Sequence, residues 1–386
     1  MNRDSYSRGW LGIYCAVFAL IANANVHAQT PTFFPLNPVS VGSNPSALAI
    51  ANTHGVGNPD LVVVNGGSDS LTIERGLGYG YFLPWDSQTT GGSPRAVAVA
   101  DFNGDGILDL AVANFASSNV SIFLGIGNGT FRPFGRFDAV NPSAIVAGDF
   151  DRDGKTDLAV TENTSNAGES TSDSVVIFRG LGNGTFVPFY TAAVGHRPVS
   201  MVAADFNGDG ITDLAVANSV SGDVSVLLGY GRGTFLPARN ATAGLNPTFL
   251  ALGDFNGDGK PDLAVVNARL GSNSTVYVLL GLGNGFFRLP LIFTAGDNSS
   301  FVVAGDFNLD GKTDLAVANS GSNTISIFLG MGYGIFQPAQ DFTVGPNPSW
   351  IGVADLTGDG KPDLVVANGG SNNVSVLINH TASRPR

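Results

Sequence analysis

Cysteine is nearly absent: Cys15 is the only one in 386 residues. No disulfide can form within such a chain, so a stable fold needs another staple. Charge is scarce too. Asp, Glu, Lys and Arg make up 13% of the residues, about half the usual ~25%. The net charge of −12 excludes a basic nucleic-acid-binding surface, and the 43% hydrophobic content excludes a disordered polyanion. No long run with a 3.6-residue period occurs, which argues against helices. G-x-S-x-G, H-E-x-x-H and P-loop motifs are missing. Glycine is what the chain has in excess, with 52 residues, nearly twice the average ~7%.

The N-terminus reads as a secretory signal peptide over residues 1–28. Arg3 and Arg8 precede an apolar run from Trp10 to Ala22, and Val26-His27-Ala28 offers a cleavage point. The 13 apolar residues are too few to span a bilayer comfortably. No Leu-Ala-Gly-type run precedes Cys15, which argues against a lipid anchor. Removal of residues 1–28 leaves a cysteine-free chain with 30 acids and 17 bases, destined for the extracellular space, the periplasm or the cell surface. Nothing later is long and apolar enough to cross a membrane.

What remains is a repeat. Six windows match D-x-[DNT]-x-D-G-x-x-D-L, starting at Asp101, Asp149, Asp205, Asp254, Asp306 and Asp355. A seventh, from Asn52 to Leu61, keeps only the closing Asp60 and the apolar run after it. The closing aspartates lie 48 to 56 residues apart. A second mark, G-x-G-x-G-x-F, begins at Gly76, Gly125, Gly180, Gly229, Gly281 and Gly330. An aromatic strand follows it rather than a helix, so it is not a dinucleotide fingerprint. Four short strand signals per unit of about 50 residues fit a propeller blade. The last copy stops after its third strand, at Val374–His380. The segment "TPTFFPLNPVSVG" near the start resembles an unattached fourth strand, over about Phe33 to Val41. Together they predict an all-β, seven-bladed β-propeller of four-stranded blades over residues 29–380. The N-terminal strand completes the last blade, and a short tail follows at 381–386. Closure removes the open edges that invite aggregation.

The acids cluster in the repeated loops, which hold 19 of the 31. Positions 1, 3, 5 and 9 of each loop carry oxygen atoms and position 6 is glycine, a spacing like the start of an EF-hand loop. An EF-hand needs Glu at position 12. Here that position is Val112, Val160, Val216, Val265, Val317 and Val366, and the closing Asp leads into a strand. Oxygen ligands without His or Cys favour calcium over zinc or copper, and magnesium keeps more water and demands octahedral geometry. Position 7 holds all four lysines of the chain (Lys155, Lys260, Lys312 and Lys361) or Ile107 and Ile211, a tolerance suited to a backbone carbonyl ligand. The bland alternative, solvated acidic turns, does not account for six aligned copies. About six structural Ca²⁺ ions are expected.

The paired marks resemble the FG-GAP or VCBS-type repeat family, to which the bladed head of integrin α subunits belongs, and the resemblance covers about residues 30–380. It implies calcium ligation by Asp101, Asn103, Asp105, Ile107 and Asp109, and by their counterparts in five further loops. Those are Asp149, Asp151, Asp153, Lys155 and Asp157; Asp205, Asn207, Asp209, Ile211 and Asp213; Asp254, Asn256, Asp258, Lys260 and Asp262; Asp306, Asn308, Asp310, Lys312 and Asp314; and Asp355, Thr357, Asp359, Lys361 and Asp363. The chain departs from the pattern at Asn52, His54 and Val56, and Thr357 replaces a stronger ligand. Related propellers include adhesion modules, calcium-dependent lectins and noncatalytic parts of enzymes.

Strand connectivity puts the acidic loops and glycine turns on one face, and the blade connectors and 2–3 loops on the other. Insertions fall in two 2–3 loops, at Asn163 to Asp173 and around Arg269 to Ser274. The connectors bear Arg95, His196, Arg197 and Trp350, residues able to hold a sugar or a carboxylate. Ordinary surface variation, with Trp350 packed between blades, is the competing reading. These observations predict a noncatalytic, secreted, calcium-binding module for a protein or glycan, bound on the connector face. A polysaccharide-acting enzyme using a carboxylate pair in the central channel, and a purely structural surface protein, are the alternatives.

Overall fold

The computed structural model describes residues 30–55, 57–164, 173–269 and 271–382. The leader at 1–28, Val56, most of the first insertion and the end of the tail lie outside them. Seven antiparallel sheets form blades 1 to 7, at residues 45–89, 94–138, 145–193, 198–242, 247–297, 299–343 and 348–379. Among the described residues there is no helix.

Blade 2 shows the pattern. Pro94–Ala100, Asp109–Asn114, Asn119–Gly125 and Phe131–Asp138 pair in sequence order. The first strands of successive blades are neighbours around the ring. Second strands such as Asp109–Asn114, Asp213–Asn218 and Asp314–Asn319 are buried along their whole length, because each blade packs on both faces. That explains their unbroken apolar runs, where a strand with one wet face would alternate.

Ring closure follows the sequence expectation. Phe33, Phe34 and Pro35 pair with Asn379, Ile378 and Leu377, and Val39 and Ser40 pair with Val374 and Asn373. The Phe33 ring meets Phe342 edge-on at 5.2 Å between centroids. Beside it, His380 N donates to Thr32 O. Near the axis, Ser349 Oγ of blade 7 donates to Pro45 O of blade 1 at 2.7 Å. The same bond recurs from Ser46 to Pro94, Ser143 to Pro198 and Ser300 to Pro348, so hydroxyls near the start of the innermost strands stitch neighbouring blades.

Connector glycines answer a steric need. A Cβ on Gly345 would lie 2.5 Å from Asn368 Cγ, and one on Gly244 2.3 Å from Asn267 Cγ. Those asparagines end the second strands. Asn368 Nδ2 is spent on Ser375 Oγ of the next strand, so its side chain has little room to yield.

Candidate metal-binding loops and the surfaces beside them

The closing aspartate is the pivot of each loop. In blade 2, Asp109 Oδ2 accepts from Phe102 N at 2.9 Å and Oδ1 from Gly125 N at 2.8 Å. The equivalent pairs are Phe150 and Gly180 on Asp157, Phe206 and Gly229 on Asp213, and Phe255 and Gly281 on Asp262. Asp314 holds Phe307 and Gly330, and Asp363 holds Leu356 and Asn379, the residue that stands where the glycine turn is missing. The two sequence marks are thus one unit, and the carboxylate fastens the loop to the turn. Glycine is required there: a Cβ on Gly125 would lie 2.2 Å from Leu108 O.

Burial pushes Asp157, Asp213 and Asp262 up to about 6 and Asp314 up to about 7; Asp109 and Asp363 also rise. The two backbone donors oppose the shift, and the neighbouring loop carboxylates add to it.

The rest of the loop is drawn round by its own acceptors. Asp101 Oδ2 takes Gly106 N, Asn103 Oδ1 takes Asp105 N, and Asp105 Oδ1 takes Ile107 N, all at 2.8 Å. Equivalent bonds run from Gly154, Gly210, Gly259, Gly311 and Gly360 to Asp149, Asp205, Asp254, Asp306 and Asp355. They join Asp151 to Asp153, Asn207 to Asp209, Asn256 to Asp258 and Asn308 to Asp310. Thr357 departs: its hydroxyl donates to Asp355 instead. Oxygens of Asp149, Asp151 and Asp153 converge within 4.8 Å of one another. In blade 6, Asp310 Oδ2 is buried without a hydrogen-bond partner. An all-oxygen donor set with converging carboxylates fits a hard divalent cation.

The degenerate loop of blade 1 is built differently. Asp60 Oδ2 accepts from Thr53 N and Oγ1, and His54 Nδ1 lies 2.7 Å from it. His54, at loop position 3, thus puts a ring nitrogen where the other blades offer an oxygen.

Position 7 does more than present a carbonyl. A Cβ on Gly182 would come 2.9 Å from Lys155 Cδ, and one on Gly283 2.9 Å from Lys260 Cδ, so the lysine stems lie along their own glycine turns. Their ammonium groups return to the position-5 aspartate. Lys155, Lys260, Lys312 and Lys361 Nζ stand 3.4, 3.7, 3.7 and 3.1 Å from Oδ2 of Asp153, Asp258, Asp310 and Asp359.

The four connector candidates separate. Arg95 is half-buried, with its guanidinium 3.4 Å from the centroid of the Phe115 ring. Burial lowers its pKa, and the nearby Arg197 charge lowers it further. Arg197 is exposed with φ of 57°, and His196 is half-buried. Trp350, read either as a ligand residue or as packing between blades, is half-buried, on the innermost strand of blade 7. Its ring packs 4.3 Å from Phe301 and 5.0 Å from Phe249, on the innermost strands of blades 6 and 5. Ala47, Ala96 and Ser200 hold the equivalent register in blades 1, 2 and 4, so one side of the ring is filled by large rings and the other by small residues.

One feature of the other face went unread in the sequence. The second residue of every glycine turn is apolar: Leu77, Ile126, Leu181, Tyr230, Leu282 and Met331, each between 40% and 59% exposed. Tyr79 and Tyr333 add to them. The signal lies in the variable positions of G-x-G-x-G-x-F, whose first is apolar in all six turns. Five of the six turns also cap the acidic loop of the preceding blade in the ring, as Gly184 N does by donating to Phe102 O.

A family described as FG-GAP-like repeat matches residues 55–112, 101–160, 166–216, 205–265, 254–317 and 306–366. No curated protein matches. Among solved structures, BBS1N in complex with ARL6DN is similar over 91% of this chain and 98% of that one, at 13% identity and a TM-score of 0.64. A protein from Lactobacillus plantarum matches over 81% and 88% at 14% identity and a TM-score of 0.60. A functionally unknown protein from Desulfotomaculum acetoxidans matches over 86% and 92%, with 14% identity and a TM-score of 0.57. At such identities these likenesses concern the fold.

Proposed function

The chain belongs to the FG-GAP-like repeat family, and on that premise we propose that it is a secreted, calcium-loaded β-propeller that binds a protein partner without catalysing a reaction. Calcium is supported by the six oxygen-lined loops and the convergence of the Asp149, Asp151 and Asp153 oxygens. Secretion is supported by the charged start and short apolar run of residues 1–28. The observation that carries the binding role is the ring of exposed apolar side chains on the face of the acidic loops. None of them belongs to a buried core cluster, and apolar side chains repeated on one face suit an interaction surface. Leu, Ile, Tyr and Met suit the water-excluding centre of a protein interface. Among the similar structures, BBS1N is in complex with a protein, ARL6DN. On this reading the partner binds the face opposite the one expected from the connectors.

A second reading keeps the connector face, on the strength of Arg95 and Arg197 standing near each other, a pairing suited to an acidic peptide or a uronic sugar. Binding of the chain without residues 1–28 to secreted-protein and glycan arrays, with calcium and with chelator, tests both. A variant with Leu77, Ile126, Leu181 and Leu282 each changed to Ser is expected to lose the ligand, while Arg95→Ala with Arg197→Ala keeps it. The reverse result moves the site to the connectors.

A further inference from the structure

Resting on the calcium reading of these loops, we infer that the position-7 residue sorts the six sites into two affinity classes, with each loop lysine acting as a tethered cation that competes with the metal. In four loops an ammonium lies 3.1 to 3.7 Å from the position-5 Oδ2, an oxygen of the proposed ligand group. In the loops of blades 2 and 4 Ile107 and Ile211 take that place, and the same oxygen of Asp105 and Asp209 accepts a neutral amide instead, Asn103 Nδ2 or Asn207 Nδ2 at 2.9 Å. The two loops without lysine thus hold three carboxylates with no side-chain ammonium among them. The division extends to all four lysines of the chain, so it is not surface scatter.

The other cations near the loops fit the scheme. Blade 3 has a fourth carboxylate, Asp151, and that one is held by Arg179 Nε at 2.6 Å. Arg152 reaches into the blade 4 loop, yet it bonds the carbonyl of Gly210 and leaves the carboxylates alone. Only the blade 2 loop has neither a lysine nor an arginine beside it among the described residues, which makes Asp101–Asp109 the tightest site. As ion pairs these lysines, exposed except for the half-buried Lys361, add little to stability. Toward an entering dication they matter more, because the repulsion scales with its double charge. A monovalent cation so close is expected to weaken binding about five- to tenfold at water-like dielectric.

Calorimetric titration of calcium into the metal-stripped chain lacking residues 1–28, at fixed ionic strength, tests this. The wild type is expected to show about two tight and four weaker sites. Changing Lys155, Lys260, Lys312 and Lys361 to Met moves the weak class toward the tight one, whereas changing them to Arg leaves it weak. Ile107→Lys with Ile211→Lys removes the tight class, and circular dichroism checks that each variant stays folded. Six equivalent sites in the wild type, or a weak class indifferent to Lys→Met, overturns the sorting while leaving calcium binding intact. No calcium uptake by the wild type overturns both.

Discussion

Glu74 is a buried carboxyl in a place built for an apolar side chain. It lies opposite Leu61 in the register. The residues opposite the equivalent leucines in the other blades are Phe123, Phe178, Leu227, Leu279, Phe328 and Leu377. Both its oxygens are buried without a hydrogen-bond partner, and burial pushes its pKa from 4.5 to about 7. Below the ordinary value the acid is neutral in folded and unfolded chains alike. Between 4.5 and about 7 the unfolded chain ionises first, so stability falls as pH rises; above that the penalty is constant. A shift of this size corresponds to about 3 kcal/mol. Glu74→Leu is therefore expected to stabilise the protein by on the order of 3 kcal/mol more at pH 8 than at pH 4. Paired urea titrations of variant and wild type, which share every other titrating group, measure the difference. A gap that does not widen between these pH values refutes it.

At the scale of the strand, the legible part was whatever repeats. The closing Asp, the position-6 glycine and the apolar run recur in every acidic loop, and periodicity alone placed seven blades and the split one among them. Three things did not show. The bonds from Asp109 to Phe102 and Gly125 join segments 7 and 16 residues apart, and hydrogen bonds leave no trace in composition. Trp350 sits two residues past a connector, and whether it faces water depends on Phe249 and Phe301, each about 50 residues or more away. The tips such as Leu77 vary in identity, so they carry no pattern beyond being apolar. The closing strand is the element most open to test. Deleting residues 29–42 exposes the edge of the Asn373–Asn379 strand and removes the Phe33 ring from the core between blades 6 and 7. Loss of a buried Phe alone costs about 3–5 kcal/mol. A lower melting point and aggregation by light scattering are expected; a monomer of unchanged stability contradicts the closure.

The whole molecule has neither disulfide nor helix among its described residues, and the ring depends on seven similar interfaces holding together. Calcium is expected to tighten most of them, since five of the six acidic loops are capped by the next blade's turn, as Gly233 N caps Phe150 O. With site affinities near 10⁻⁴ M and ~1 mM calcium, each ion adds roughly 1.4 kcal/mol. Six such ions give on the order of 8 kcal/mol, comparable with the entire stability of a typical domain. Thermal melting in calcium against chelator is expected to differ by on the order of 10 °C. Coincident midpoints mean that the loops carry no stabilising metal.

The meeting of Thr32 with His380 and Thr381 has a mechanical consequence. Both ends leave the ring at the same corner of an antiparallel pair that begins with Phe33 and Asn379. Tension applied between them does not shear that pair along its length. It opens the pair like a zipper, loading one rung at a time, first Phe33 with Asn379 and then Phe34 with Ile378. The join that makes the ring seamless at rest is thus its weakest point under a pull on the termini, whereas the same strands pulled from opposite ends would bear the load together.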